Sequence, residues 1–219
     1  ARIAAYQTGE AEAIERYVNE PGLADIVAEN INRYLFFTTD ISNAVEGADV
    51  FFFCINTPPK RDGSTDMTYY LDAAHHLAGL LAQRQKPTRV VLVNKSTVPV
   101  GTARLLESVM QEHGVVNFGV ASNPEFLAQG NAVEGSRRPD RVVIGADTAE
   151  DMHILRRLYS QFVNHVRIRY LETTPETAEA IKYMSNTLLL TYISFWNGVG
   201  ARLAEAMPNI RMEDLKIGV

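Results

Sequence analysis

The sequence predicts an α/β layer sandwich, in which helices cover both faces of a mostly parallel β-sheet and a long helix follows. Short apolar runs alternate with segments of helical periodicity along the 219-residue chain. This alternation is typical of parallel sheets, because a parallel connection must cross over the sheet. Beyond residue 172 a single helical pattern takes over. The predicted domains are therefore residues 1–172 and residues 173–219.

Six apolar runs have the length and composition of strands. The run from Phe51 to Ile55 is apolar throughout, which predicts a central strand that is covered on both faces. The predicted strands are residues 34–38, 50–55, 89–93, 117–121, 141–144 and 165–170.

Two helices have clear start signals. Over residues 67–81 apolar side chains recur on one stripe, and Thr65 or Asp66 precedes the first turn as a cap. A second start lies at Pro175, and no strong breaker follows before Pro208. A helix of that length is long for a globular domain, so we expect it to connect domains or to pair with a second subunit.

Composition narrows the classes of function. Hydrophobic residues make up 46% of the chain and charged residues 21%, as in ordinary globular proteins. The formal net charge of −5 provides no basic stripe for nucleic acid. The single cysteine cannot form an internal disulfide, and no apolar stretch suggests a membrane span, so we expect a cytoplasmic protein. The chain has no initiator Met, no signal-peptide pattern and no obvious tail, and we expect it to be a fragment.

Three loops follow predicted strands directly: residues 56–60, 96–102 and 122–130. Each places a hydroxyl or amide residue beside a proline, which fixes an extended turn and presents polar groups outward. One such loop is an ordinary connection. Because ligands bind beyond the carboxyl ends of parallel strands, three together favour a binding site.

Glu125 lies between Pro124 and the apolar pair Phe126-Leu127. A carboxylate in that setting is partly desolvated, which would raise its pKa and allow it to act as a base. Equally, Glu125 could cap a short helix that begins at Asn123 and Pro124.

Lys182 and Asn186 lie four residues apart in the long helical pattern and share a face. Near a substrate oxygen, the lysine would stabilise developing negative charge and the asparagine would hold a water or a hydroxyl. The alternative is a lysine whose stem covers apolar surface and whose amine is solvated.

Cys54 lies within an apolar run and is predicted to be an inert core thiol. The five histidines do not have the spacing of metal ligands, so no metal site is predicted.

Taken together, five motifs resemble those of the UDP-glucose 6-dehydrogenase family. Their order and spacing also match, over nearly the whole chain. The motifs are Asn56-Thr-Pro-Pro59, Ser96-Thr-Val-Pro-Val-Gly-Thr102, Asn123-Pro-Glu-Phe-Leu127, Arg138-Pro-Asp-Arg-Val-Val-Ile-Gly145 and Ala178-Glu-Ala-Ile-Lys-Tyr-Met-Ser-Asn186.

The resemblance implies a partial Rossmann-like domain, NAD as the cofactor, and oxidation of the C6 alcohol of UDP-glucose to a carboxylate through aldehyde and thioester stages. It implies that Thr57 and Thr97 contact NAD or an ordered water, that Glu125 assists thioester hydrolysis, and that Lys182 with Asn186 holds the oxyanion and water. The implied cofactor-binding residues are Asn56, Thr57, Pro58, Ser96, Thr97 and Gln129. The implied substrate-binding residues are Glu125, Phe126, Leu127, Lys182 and Asn186, and the catalytic ones are Thr97, Glu125, Lys182 and Asn186.

Several departures from the family pattern qualify the resemblance. Gln129 stands where the family often has a glutamate. The glycine-rich dinucleotide fingerprint is expected before Ala1 and the nucleophilic cysteine after Val219. We therefore expect a central part of such an enzyme that does not complete the reaction alone.

Other functions stay open. The resemblance implies UDP-glucose rather than UDP-N-acetylated sugars, because the related dehydrogenases of those sugars have a different residue pair where this chain has Phe126-Leu127. A β-hydroxyacid dehydrogenase would also use a helical lysine and asparagine, and a non-catalytic dimerisation or binding module would explain the absent glycines. A homodimer through the long helix is expected, because exposing Phe195, Trp196, Leu203 and Met207 would be unfavourable.

Overall fold

The computed structural model describes residues 2–86 and 88–219. They form two compact units, the first ending at Glu179 and the second beginning at Ala180. The first unit contains a β-sheet with its helices, and the second contains most of the long helical segment.

The five strands of the first unit form one sheet with the order β1-β2-β3-β4-β5. Strands β1, β2 and β3 are mutually parallel, β4 is antiparallel to β3, and β5 is parallel to β4. The predicted mostly parallel sheet is confirmed, and the carboxyl ends of the first three strands share one edge. The bounds are β1 (Val50–Phe53), β2 (Val90–Asn94), β3 (Phe118–Ser122), β4 (Arg141–Ala146) and β5 (Arg169–Thr173).

The first unit also contains most of the α-helices, and the second unit contains the remainder. The helices are α1 (Arg2–Thr8), α2 (Ala11–Glu15), α3 (Leu23–Asn30), α4 (Ile41–Gly47), α5 (Thr68–Gln83), α6 (Thr102–Glu112), α7 (Ala132–Arg137), α8 (Ala149–Leu158), α9 (Ser160–Val163), α10 (Pro175–Phe195), α11 (Ala201–Ala206) and α12 (Met212–Gly218). A π-helical segment, Trp196–Gly200, joins α10 to α11.

Strand β2 lies at the centre of the core, with all five residues buried. Successive side chains of a strand point to opposite faces. Val90 and Leu92 therefore pack in the cluster that contains α5 and α6, whereas Val91 and Val93 pack in the cluster that contains α8 and α9. This two-sided burial explains the continuous apolar sequence of the strand.

The predicted strand at residues 34–38 is wrong. Tyr34 and Phe36 are 72% and 66% exposed, and the segment makes only an isolated bridge between Ile31 and Leu35. An extended segment needs a neighbouring strand for its ladder of hydrogen bonds, and the described part of the chain provides none there.

The strand predicted at residues 50–55 is present, but the prediction that it is central in the sheet is wrong. β1 ends at Phe53 and lies at an edge of the described sheet, with Phe52 40% exposed. Cys54 is exposed, so it is not a core thiol. An apolar sequence indicates that a strand can be buried, but it does not indicate which strands and helices lie against it.

The predicted helix starts are confirmed. Asp66 Oδ1 accepts a hydrogen bond from the Thr68 N–H at 3.0 Å, at the first residue of α5. α10 begins at Pro175, and the hydroxyl of Thr174 accepts from the Thr177 N–H. Gly145 of β4 allows this start to lie against the sheet, because a Cβ there would be 2.4 Å from the Thr174 carbonyl oxygen.

A buried ion pair holds α8 against the sheet. Asp151 is 1% exposed and accepts two hydrogen bonds from Arg89, at 2.7 and 2.8 Å. The Thr148 hydroxyl also donates to Asp151 and accepts from its N–H, which caps the helix.

We expect Asp151→Asn to lower the free energy of unfolding by about 3 kcal/mol, because it leaves the largely buried guanidinium of Arg89 without a counter-charge. Urea denaturation followed by circular dichroism measures the change. Glu150→Gln is the control, since Glu150 is exposed and 3.7 Å from Arg89; its effect should stay below about 0.5 kcal/mol. Equal losses in both variants would contradict a role for the buried pair.

Candidate functional site

The Ser96 hydroxyl joins the loops that follow β1 and β2. It accepts a hydrogen bond from the Ile55 N–H at 2.7 Å, and its oxygen lies 2.7 Å from the carbonyl oxygen of Ile55 and 3.0 Å from that of Phe53. The Ser96 N–H also donates to Phe53. A hydroxyl can both donate and accept, so this residue ties two loop backbones together at the end of a buried strand.

A second hydrogen bond joins the same loops one residue further on. The Thr57 hydroxyl donates to the Thr97 carbonyl at 2.8 Å. The two loops that carry the predicted cofactor-binding residues are therefore one connected structure, with Asn56 exposed and Thr57 half-buried.

The loop after β3 is bound to the loop after β2 through Asn123, which is 1% exposed. Its Oδ1 accepts from Lys95 Nζ at 2.9 Å and from the Tyr159 hydroxyl, and its Nδ2 donates to the Val143 carbonyl at 2.7 Å. Burial raises the pKa of Tyr159 to about 12, so its hydroxyl stays protonated as a donor at neutral pH. Hydrogen bonds thus link all three predicted loops.

A cavity of about 500 Å³ opens beside this loop, within the size range of small-molecule sites. Glu125, Phe126 and Leu127 line it together with Lys95, and the Arg141 guanidinium lies 4.1 Å from the centre of the Phe126 ring. Acidic and basic side chains both face the cavity, so it suits a polar ligand with a charged group.

Glu125 accepts a hydrogen bond from the Leu127 N–H at 2.5 Å. No helix begins at Asn123 in the described residues, and α7 begins only at Ala132, so the prediction that Glu125 caps a short helix is wrong. Pro124 and the turn at Glu125 keep the segment irregular, which leaves the carboxylate at the cavity.

The sequence did not indicate the role of Glu179, a buried carboxylate in α10 that is 3% exposed. It accepts hydrogen bonds from the Gly101 N–H at 2.7 Å, the Ala103 N–H at 2.9 Å and the Ser122 hydroxyl at 3.0 Å. Burial raises the pKa of Glu179, although these donors oppose the rise. A signal that could have found it is an acidic residue among apolar neighbours in Ala178-Glu-Ala-Ile181.

Gly101 explains why a distant residue performs this capping. It is the N-cap of α6 and has φ = 97°, in the left-handed region that favours glycine. Without a side chain it cannot cap the helix, so the carboxylate of Glu179 accepts from the first N–H groups instead.

Beneath this carboxylate, the Tyr70 hydroxyl donates to Asn94 Oδ1, and both residues are fully buried. Burial and the charge of Glu179 raise the pKa of Tyr70. The buried polar residues thus connect α5, β2 and the ends of the loops.

Lys182 and Asn186 lie one turn apart on α10, at a buried and an exposed position respectively. Gln129 is exposed in the turn before α7. The predicted meeting of Lys182 and Asn186 with Thr97 and Glu125 stays a prediction.

Among residues 2–86 and 88–219, no group of three or more His, Cys, Asp and Glu side chains is placed to hold a metal ion. None of the helices in that part of the chain has both the length and the apolarity needed to cross a membrane.

Comparison with known sequences gives close relatives. UDP-glucose 6-dehydrogenase TuaD of Bacillus subtilis is 39% identical over 189 residues, which cover 83% of this chain and 38% of that protein. UDP-glucose 6-dehydrogenase of Pseudomonas aeruginosa is 36% identical over 212 residues, covering 94% and 45%. The chain thus spans less than half the length of these relatives.

Solved structures agree with the fold. GDP-mannose dehydrogenase from Pseudomonas aeruginosa, in a ternary complex, has a TM-score of 0.86 and 27% identity, covering 98% of this chain and 48% of that one. UDP-glucose dehydrogenase from Pyrobaculum islandicum has a TM-score of 0.76 and 34% identity, covering 91% and 49%.

A family model described as "UDP-glucose/GDP-mannose dehydrogenase family, NAD binding domain" matches residues 4–163. NAD is accordingly the cofactor of the matched domain. Since the match covers more than half of the chain, the chain belongs to the UDP-glucose/GDP-mannose dehydrogenase family.

Proposed function

We propose that this chain is part of an NAD-dependent enzyme that oxidises the C6 alcohol of UDP-glucose to the carboxylate of UDP-glucuronate. Residues 1–172 would form part of its NAD-binding domain and residues 173–219 its central helical segment. The observation that carries the proposal is the hydrogen-bonded union of the three loops at one sheet edge, with Glu125 lining a cavity. The named relatives support the nucleotide sugar as substrate class.

The loop residues fit a nicotinamide cofactor. The end of β1 presents the exposed amide of Asn56, followed by Thr57 and Pro58, beyond the carboxyl ends of parallel strands, where dinucleotides bind. The N-terminus of α6 is filled by Glu179, so the cofactor phosphates would bind elsewhere. When bound, NAD accepts the hydride in each of the two oxidation steps.

Ser96 and Thr97 would support the cofactor in different ways. Ser96 already binds the backbone of the neighbouring loop, so its proposed contribution is to fix that loop. Thr97 would contact NAD or an ordered water through its side chain, since Thr57 binds its carbonyl. Gln129 would contact the cofactor without the charge that a glutamate would bring.

The chemistry of the remaining side chains suits oxidation followed by hydrolysis. Lys182 would stabilise negative charge on the substrate oxygen, and Asn186 would hold the attacking water. Glu125 would remove a proton from that water as it attacks the thioester carbonyl; the C–S bond then breaks, the carboxylate is released, and the proton passes to the departing thiolate of the family's nucleophilic cysteine. Phe126 and Leu127 would contact the substrate as part of the cavity wall.

The exposed face of α10 supports a homodimer. Leu188, Leu189 and Leu190 are each more than half exposed, as is Tyr192. Such an apolar surface is unfavourable in water. Of the residues first expected to drive association, Phe195 and Met207 are exposed, whereas Trp196 is only 7% exposed and contributes little. We also propose a cytoplasmic location, because the one cysteine of this chain cannot form a disulfide within it.

The full-length gene product that carries this sequence tests the proposal, because the chain spans less than half the length of its relatives. The kcat/KM for NADH formation should be higher with UDP-glucose than with GDP-mannose, UDP-N-acetylglucosamine or a small β-hydroxy acid. The 219-residue chain alone should show no steady turnover. NADH formation with none of these substrates would favour a non-catalytic module.

We expect Glu125→Gln in the full-length protein to slow steady turnover of UDP-glucose by ~100-fold, because an amide cannot act as a general base. Stopped-flow absorbance should still show an initial burst of NADH, since the oxidation steps precede hydrolysis. Glu112→Gln, an exposed carboxylate at the end of α6, should leave both phases unchanged. Loss of the burst together with turnover would assign Glu125 to another step.

We expect Leu189→Glu to halve the molar mass measured by light scattering at tens of micromolar, because it places a charge in the exposed apolar face of α10. Gln111→Glu adds the same charge on α6 and should leave the mass unchanged. A wild-type protein that is monomeric at that concentration would contradict the proposed dimer.

A further inference from the structure

We propose that Glu179 is a positioning residue of the reaction, in that its carboxylate fixes the two loops that carry the proposed catalytic residues Thr97 and Glu125. The inference rests on the proposed function. It assigns to Glu179 no contact with substrate or cofactor.

The sequence positions of its three hydrogen-bond donors carry the argument. Gly101 and Ala103 close the loop that begins with Ser96 and Thr97, and Ser122 is the last residue of β3, three residues before Glu125. One side chain therefore holds the end of one catalytic loop and the start of another.

Glu179 also fixes the beginning of α10. It lies four residues after Pro175, in the second turn of the helix, so its hydrogen bonds hold that turn against the start of α6.

Because Glu179 is buried, its carboxylate must be compensated by hydrogen-bond donors. A carboxylate that is 3% exposed is unfavourable unless donors surround it. Its donors here include two N–H groups at the start of α6, where the helix dipole favours a negative charge. Any shift of one loop would leave a buried charge or a buried N–H unsatisfied, so the loops are held in one arrangement.

A glutamine in place of Glu179 changes the hydrogen bonds of the side chain without changing its size. Its side chain has the same size, but its NH₂ group faces one of the two N–H donors of α6 in either orientation. At least one of the hydrogen bonds from Gly101 and Ala103 is then lost, and two donors oppose each other. The loop must therefore move or rotate, although the glutamine side chain fills the same space as the glutamate.

Glu176 offers a matched control one turn earlier on α10. Its carboxylate accepts from Arg104 of α6 at 2.6 Å, so it joins the same two helices. The pair is substantially exposed and contributes little to stability. Glu176→Gln thus removes a carboxylate between α10 and α6 without disturbing the buried contact.

The experiment compares Glu179→Gln, Glu176→Gln and wild type in the full-length protein, at a temperature where all three are fully folded by circular dichroism. We expect kcat to fall ~100-fold in Glu179→Gln, with KM for UDP-glucose and NAD within about threefold, because misplaced catalytic groups slow the chemistry more than they weaken binding. Glu176→Gln should stay within about twofold of wild type.

Amide hydrogen exchange of the 219-residue chain supplies a readout that is independent of activity. At least one of the Gly101 and Ala103 amides should exchange ~10-fold faster in Glu179→Gln than in wild type, as expected for the loss of a hydrogen bond. A wild-type protein that forms no NADH would contradict the proposed function, whereas hydrogen exchange would still test the hydrogen bonds of Glu179. An active wild type with unchanged kcat in Glu179→Gln, or an equal loss in Glu176→Gln, would overturn the positioning role.

Discussion

The buried carboxylate of Glu179 at the start of α6 is the contact on which the carboxyl edge of the sheet depends. α6 must begin at Gly101 in a left-handed conformation, and a glycine has no side chain with which to cap the helix. Capping by a residue 78 positions away couples the helix start to α10. A local serine cap would satisfy the same N–H groups but would connect nothing else.

The reversal of strand direction after β3 determines where the helix that carries Glu179 begins. β4 pairs with β3 over only two residue pairs and then forms a longer parallel ladder with β5. Asn123 binds the Val143 carbonyl across this junction, and Gly145 lets the beginning of α10 approach β4 closely. The end of the sheet therefore leads directly into the helix that carries Glu179. Fold and site share these residues, so changes at the junction would affect both.

Local sequence was sufficient where a feature depends on neighbours along the chain. The start of α10 at Pro175, the hydrogen bond from the Thr68 N–H to Asp66 and four of the strands lie at or close to the predicted positions, because periodicity and hydrogen bonds at helix starts are short-range effects. The fifth strand begins at Arg169, later than the predicted 165, because a turn precedes it. The predictions of a strand at residues 34–38 and of a buried Cys54 were wrong, because both properties depend on which strand lies alongside.

The sequence by itself determined the alternating α/β pattern, the three polar loops and the family motifs, since each is written in residue type and spacing. Only the tertiary structure decided that Ser96 binds the loop after β1, that Lys95 and Asn123 meet, and that Glu179 caps α6. Those contacts join residues 28 to 76 positions apart. Each hydrogen bond needs its donor and acceptor within about 3 Å, a condition that chain folding sets and that no local pattern encodes.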